Sequence, residues 1–112
     1  MASLTKKTFN QPDELNKPTP RIQTALVTFG DTKIYRFTGQ PGWKWSEDLK
    51  PILKTDSCPM DHILYILSGG LHVKMDDGEE LDFTAGDIVH IPPGHDGWSV
   101  GDEPTVWLEI PH

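Results

Sequence analysis

Tyr65-Ile66-Leu67-Ser68-Gly69, and further along the chain Gly86-Asp87-Ile88-Val89-His90-Ile91-Pro92-Pro93-Gly94, are the two stretches that decide the fold. The first is a β-prone run stopped by glycine. The second opens on a Gly-Asp turn and closes on a corner. There two prolines fix φ, and Gly94 supplies a turn conformation barred to other residues. Short strands bounded by compulsory turns on both sides belong to a sheet that folds back over itself.

The pattern continues outward from these blocks. Leu71, Val73 and Met75 share one face of a strand, with His72 and Lys74 on the other. Asp76-Asp77-Gly78 is a hairpin signal, because Asp-Gly tolerates positive φ, and Glu79–Phe83 pairs back. Upstream, Ile22–Phe29 and Ile34–Phe37 read as strands, and Trp43-Lys44-Trp45 alternates apolar with charged as a half-buried strand does. Ser46–Lys50 reads as one helical turn capped by Ser46 and closed by Pro51. Trp98–Val100 and Thr105–Ile110 end the chain. Roughly eight to ten short strands without a long helix predict an all-β sandwich or barrel. Residues 1–20, polar and broken by Pro12, Pro18 and Pro20, read as an extended arm. The arm is either disordered or adds an edge strand to a partner subunit. Residues 21–112 form the barrel domain.

With 112 residues the chain suits one domain, burying roughly two thirds of its unfolded surface. Ten Gly and ten Pro demand many turns, and four Trp with four Phe need burial or a ligand. Seventeen acidic against ten basic residues give a net charge of −7. That charge repels phosphate backbones and anionic lipid, so neither nucleic acid nor membrane is an expected partner. No apolar run approaches the ~20 residues of a membrane span. Met1–Asn10 lacks the apolar centre of a secretion signal, and Cys58 has no second cysteine to pair with. A cytoplasmic protein is expected.

The two blocks resemble the conserved motifs of the RmlC-like cupin superfamily, a Tyr-Val-Leu-x-Gly hairpin followed by a Gly-Asp turn and a Pro-Pro-Gly corner. Gln40-Pro41-Gly42-Trp43-Lys44-Trp45-Ser46-Glu47, Met75-Asp76-Asp77-Gly78 and Pro93-Gly94-His95-Asp96-Gly97-Trp98 are similar to a subgroup of small stand-alone cupins. The resemblance implies a double-stranded β-helix, the jelly-roll barrel, with a metal or ligand in its mouth. Many cupins hold a metal through His-x-His, a Glu ahead of the hairpin glycine, and a His past the Pro-x-Gly corner. Counting back from Gly69 lays that pattern on Asp56, Cys58 and His62, with Gly97 at the last position and His95 two residues before it. None of the family's ligand identities is kept, yet carboxylate, thiolate and imidazole are all metal donors. Asp56, Cys58 and His62 also share one parity, so an extended strand would aim them together. Asp56, Cys58, His62 and His95 are therefore the candidate ligands of one divalent ion, Zn, Fe, Mn or Ni.

Trp43, Trp45 and Trp98 are the candidate walls of a small-molecule pocket. Tyr65 has the parity opposite to His62, His72 and His90 read as surface or packing residues, and the terminal His112 carries no signal. No phosphate loop, dinucleotide fingerprint or nucleophile elbow is present, and a serine or cysteine hydrolase lacks a plausible base constellation. Three functions remain open. One is a metal-dependent oxygenase, isomerase or lyase acting on a small molecule. Another is a metal-free cupin that binds or senses a small molecule without turning it over. The third is a partner protein with a filled barrel. An arm and open strand edges predict a homodimer.

Overall fold

The computed structural model describes residues 3–111; Met1, Ala2 and the terminal His112 lie outside the described residues. Nine strands alternate with turns: β1 (Glu14–Thr19), β2 (Ile22–Phe29), β3 (Thr32–Gly39), β4 (His62–Ser68), β5 (Gly70–Met75), β6 (Glu80–Thr84), β7 (Ile88–Ile91), β8 (His95–Val100) and β9 (Thr105–Glu109). Two helical turns, α1 (Trp45–Asp48) and α2 (Lys50–Leu53), separate β3 from β4. All pairings are antiparallel. They make a six-stranded sheet, β1-β2-β3-β9-β4-β7, and a three-stranded sheet, β6-β5-β8. The chain is thus all-β, as its turn pattern predicts, with the jelly-roll architecture that the resemblance implies. Among the described residues no helix is long and apolar enough to cross a membrane.

Alternation along the strands builds the core. Leu64 and Ile66 of β4, Leu71 and Val73 of β5, Ile91 of β7 and Trp107 of β9 are buried together with Trp43 and Trp45. Tyr65 and Leu67, one residue out of step, stay exposed. Register pins the aromatic layer, with Phe37 paired to Trp107 across β3 and β9 and Ile66 paired to Trp107 across β4 and β9.

Three local expectations change. Residues 14–19 of the arm form β1 and pair with β2 of the same chain, so this stretch is an edge strand of its own barrel. Trp43 and Trp45 are buried as their alternation implies, but Lys44 makes only an isolated bridge to Trp98, and Trp45 begins α1. Pro51 does not close that helical turn. It sits in the first turn of α2, where its missing N–H costs nothing. Ser46 does not cap α1: its own N–H donates to Asp96 Oδ1 at 3.0 Å, and Lys44 precedes the helix. The Asp48 carboxylate is only 7% exposed and accepts hydrogen bonds from Lys44 N at 3.0 Å, Arg21 Nε at 3.1 Å and Thr19 Oγ1 at 3.2 Å. One buried acid therefore ties α1 to the end of β1 and the turn that follows it, and its charge is met by Arg21 as burial requires.

The glycine of the β4–β5 turn is the least replaceable. Gly69 has φ +75°, and a Cβ there would lie 2.5 Å from Pro104 O. Gly69→Ala is expected to destabilise the fold by about 3 kcal/mol, combining left-handed alanine with displacement of the Pro104–Thr105 backbone. Gly78→Ala, at φ +97° with open space around it, should cost only about 1 kcal/mol. Urea unfolding midpoints of the two variants check the difference.

Candidate metal centre and cavity

The Pro92-Pro93-Gly94 corner delivers His95 to the interior. Gly94, at φ +92°, turns the chain so that its N–H donates to Cys58 O, while Cys58 N–H donates to His95 O, both at 2.8 Å. Those two bonds bring residues far apart in the chain side by side. His62, the first residue of β4, arrives from the other sheet. Its Nε2 lies 3.7 Å from Cys58 Sγ, and its ring meets that of His95 edge-on at 5.2 Å between centroids. Donor atoms of Cys58, His62 and His95 all lie within 4.8 Å of one another.

Each imidazole is held from behind. His62 Nδ1 donates to Glu109 Oε1, and His95 Nδ1 donates to Pro92 O at 2.8 Å. With both Nδ1 positions engaged, both Nε2 atoms are left for the centre, which is the arrangement that orients histidine ligands at metal sites. The donor set fits a cation. Zn–N and Zn–S bonds of ~2.0–2.3 Å in tetrahedral geometry require donors about 3.4–3.8 Å apart, and the Cys58–His62 pair already stands at that separation. Thiolate with two imidazoles suits zinc or iron better than harder ions.

Of the four candidate ligands, three converge. Asp56 does not, being exposed in the loop ahead of Cys58. Cys58 itself is not on β4, because Pro59–Asp61 leave the strand. The shared aim of Cys58 and His62 thus comes from the Gly94–Cys58–His95 bridge and not from strand parity. Glu109 is the residue missed in the sequence. Its signal was its parity with Trp107 on β9, which places a carboxylate on the same inward face. A base constellation for Cys58, not expected from the sequence, is present, since Cys58, His62 and Glu109 form a thiol–imidazole–carboxylate chain. Two imidazoles converging on one sulfur fit a cation site more closely than a single nucleophile–base pair does.

The chain shifts both protons. Burial pushes the Cys58 thiol up, but hydrogen bonds from His62 and His95 outweigh it and bring its pKa down to about 6 from an ordinary 9.0. Burial pushes His62 down, but its bonds to Cys58 and Glu109 outweigh that and raise it to about 9 from 6.5. The pair is therefore thiolate and imidazolium near neutrality. His62, raised in the fold, contributes stability in full below pH 6.5 and loses it as pH climbs through about 9. Cys58, lowered in the fold, contributes in full above pH 9 and loses it as pH falls through about 6. Between pH 6.5 and 9 the two slopes oppose and cancel.

A cavity of about 440 Å³ opens beside the three donors, between the two sheets. Tyr35, Phe37, Trp43, Trp45 and Trp107 supply its aromatic wall. Trp98 does not reach it. On β8, His95 and Gly97 point inward and Trp98 outward, where it stacks on His72 at 4.6 Å and takes the Lys44 ammonium at 4.8 Å. His72 lies outside the centre between Asp82 and Glu80, whose hydrogen bonds raise its pKa. His90 is exposed and bonded to Asp61 at 2.8 Å.

Residues 56–111 match the family model for the cupin domain, which covers half of the chain and both of its turn blocks. The chain belongs to the cupin family. No curated protein matches it in sequence. Among solved structures, this cupin is similar to a protein of unknown function from Rhizobium leguminosarum bv. viciae 3841 (21% identity, 99% of this chain and 100% of that one, TM-score 0.66). It is also similar to an RmlC-like cupin from Shewanella frigidimarina NCIMB 400 (17% identity, 96% and 88%, TM-score 0.64). A third match is the polyketide cyclase RemF from Streptomyces resistomycificus (12% identity, 96% and 78%, TM-score 0.67). At these identities the likeness is one of fold.

In metal-free protein the ultraviolet absorbance of the Cys58 thiolate should titrate with a midpoint near pH 6, and His62→Gln should move it up towards 9. A midpoint near 9 in the unsubstituted chain would rule out the ion pair.

Proposed function

We propose that this cupin holds one divalent cation between Cys58, His62 and His95 and presents it to a small molecule in the barrel. The observation that carries the reading is the pinning of both imidazoles by Glu109 and Pro92 O, which leaves two Nε2 atoms and a thiolate aimed at one point. When bound, a zinc, iron, manganese or nickel ion supplies Lewis acidity or redox chemistry, the basis of oxygenase, isomerase and lyase reactions. The chain's own contributions are separable. Glu109 fixes the tautomer and ring plane of His62. Cys58 offers a thiolate already deprotonated above about pH 6, so a cation displaces a proton from His62 and none from sulfur. The apolar walls keep water from the reacting end of the ligand.

A second reading, a metal-free cupin that binds or senses a small molecule, is favoured by the cavity, which is walled by aromatics independently of any ion. The lone, buried Cys58 thiolate suits a reducing compartment, in keeping with a cytoplasmic protein. Homodimer formation is supported by the exposed Tyr65, Leu67 and Ile88 beside the open edge of β7. A dimer mass in light scattering is expected, and a monomer mass would refute it.

Untagged protein should carry close to one equivalent of zinc or iron by elemental analysis, or take it up on reconstitution. Glu109→Gln is expected to weaken that binding about 10–100-fold, as loss of a carboxylate behind a ligating histidine does. Less than a tenth of an equivalent, unchanged by added Fe²⁺, Mn²⁺, Ni²⁺ or Zn²⁺, would overturn the cation site. Thermal stabilisation by organic compounds alone would then favour the second reading.

A further inference from the structure

Four polar side chains of the cavity, those of Cys58, His62, His95 and Glu109, cluster together, and its apolar surface is built from Tyr35, Phe37, Trp45 and Trp107 with aliphatic neighbours. Phe37 and Trp107 stack in parallel at 5.4 Å, with 4° between their planes. Trp43 leans on Trp107 at 5.7 Å, so the three rings line the cavity as one aromatic cluster. Trp43 is 5% exposed, yet its Nε1 is buried without an acceptor in the protein. A buried indole N–H normally finds a partner. Around the mouth, Leu53 and Met60 are half-exposed apolar side chains, an arrangement expected of a surface that meets an apolar guest. Lys33 is the one Lys or Arg among the residues that line the cavity, and Asp61 and Glu109 line it too. A phosphorylated or highly hydroxylated ligand would find too few donors there to replace its water.

We propose that the barrel binds a flat, hydroxylated aromatic compound, about two fused rings in size, whose oxygen accepts the Trp43 Nε1 hydrogen. The volume of about 440 Å³, that of roughly fifteen liquid waters, is ample for such a ligand. The inference rests on the barrel being a small-molecule site and is independent of any cation.

The test measures binding to the full-length chain by tryptophan fluorescence quenching, in metal-free and zinc-supplemented protein. The probes are 2-naphthol, naphthalene, 2-naphthyl phosphate and glucose. 2-Naphthol should bind at least about tenfold more tightly than 2-naphthyl phosphate, and glucose should not bind. Trp43→Phe should weaken 2-naphthol about three- to tenfold, the worth of one hydrogen bond, and leave naphthalene unchanged. Met60→Glu, at a lip position tolerant of charge, should weaken both aromatics about tenfold, and it decides the matter if Trp43→Phe does not fold. Equal or tighter binding of the phosphate or of glucose would overturn the proposal. So would a folded Trp43→Phe chain with unchanged 2-naphthol affinity, a folded Met60→Glu chain with unchanged affinities, or no binding of any aromatic. Failure of zinc to bind would sink the cation site and leave this ranking intact, whereas failure of the aromatics would leave the zinc stoichiometry untouched.

Discussion

Two backbone hydrogen bonds, Gly94 N–H to Cys58 O and Cys58 N–H to His95 O, carry the organisation of the site. They join the loop ahead of β4 to the first residue of β8, and each partner needs the other's geometry. The left-handed Gly94 turns the corner, Cys58 is held although Pro59 interrupts its strand, and His95 is buried as a consequence. Once that bridge is made, only His62 and Glu109 have to arrive from the larger sheet. Both come from adjacent strands, β4 and β9, whose register is set by the aromatic layer around Trp107.

Electrostatics then finishes what the backbone begins. A thiol and an imidazole buried together would each be driven towards neutrality by desolvation. Contact with each other, and with a carboxylate behind the imidazole, reverses both tendencies. The result is a compact dipole of thiolate and imidazolium within a largely apolar barrel. It can be relieved by a cation with little rearrangement, because the ring planes and tautomers are already fixed.

Much of the fold was legible from turn chemistry. Gly69, Gly78, Gly86 and Gly94 all take positive φ, and the strands between them could be read from alternation alone. Parity also separated Tyr65 from His62. The same parity separates Trp98 from His95 on β8. The site was legible only in part. His62 and His95 followed from their places relative to Gly69 and the Pro-Pro-Gly corner. Asp56 was misplaced because its parity argument assumed a continuous strand through Pro59. Parity with Trp107 aims Glu109 inward, but its partnership with His62 depends on a β4–β9 pairing of long sequence separation. The arm's strand β1 was hidden for a similar reason, since Pro12, Pro18 and Pro20 make the stretch look unstructured until β2 offers an edge.

Asp48 has a consequence for access to the cavity. Its buried carboxylate fastens α1, whose Trp45 lines the cavity, to Thr19 and Arg21, so this side of the rim is braced. A molecule entering the barrel would then pass between one fixed side and the long, half-exposed side chains of Met60 and Leu53, whose rotations belong to the picosecond to nanosecond range.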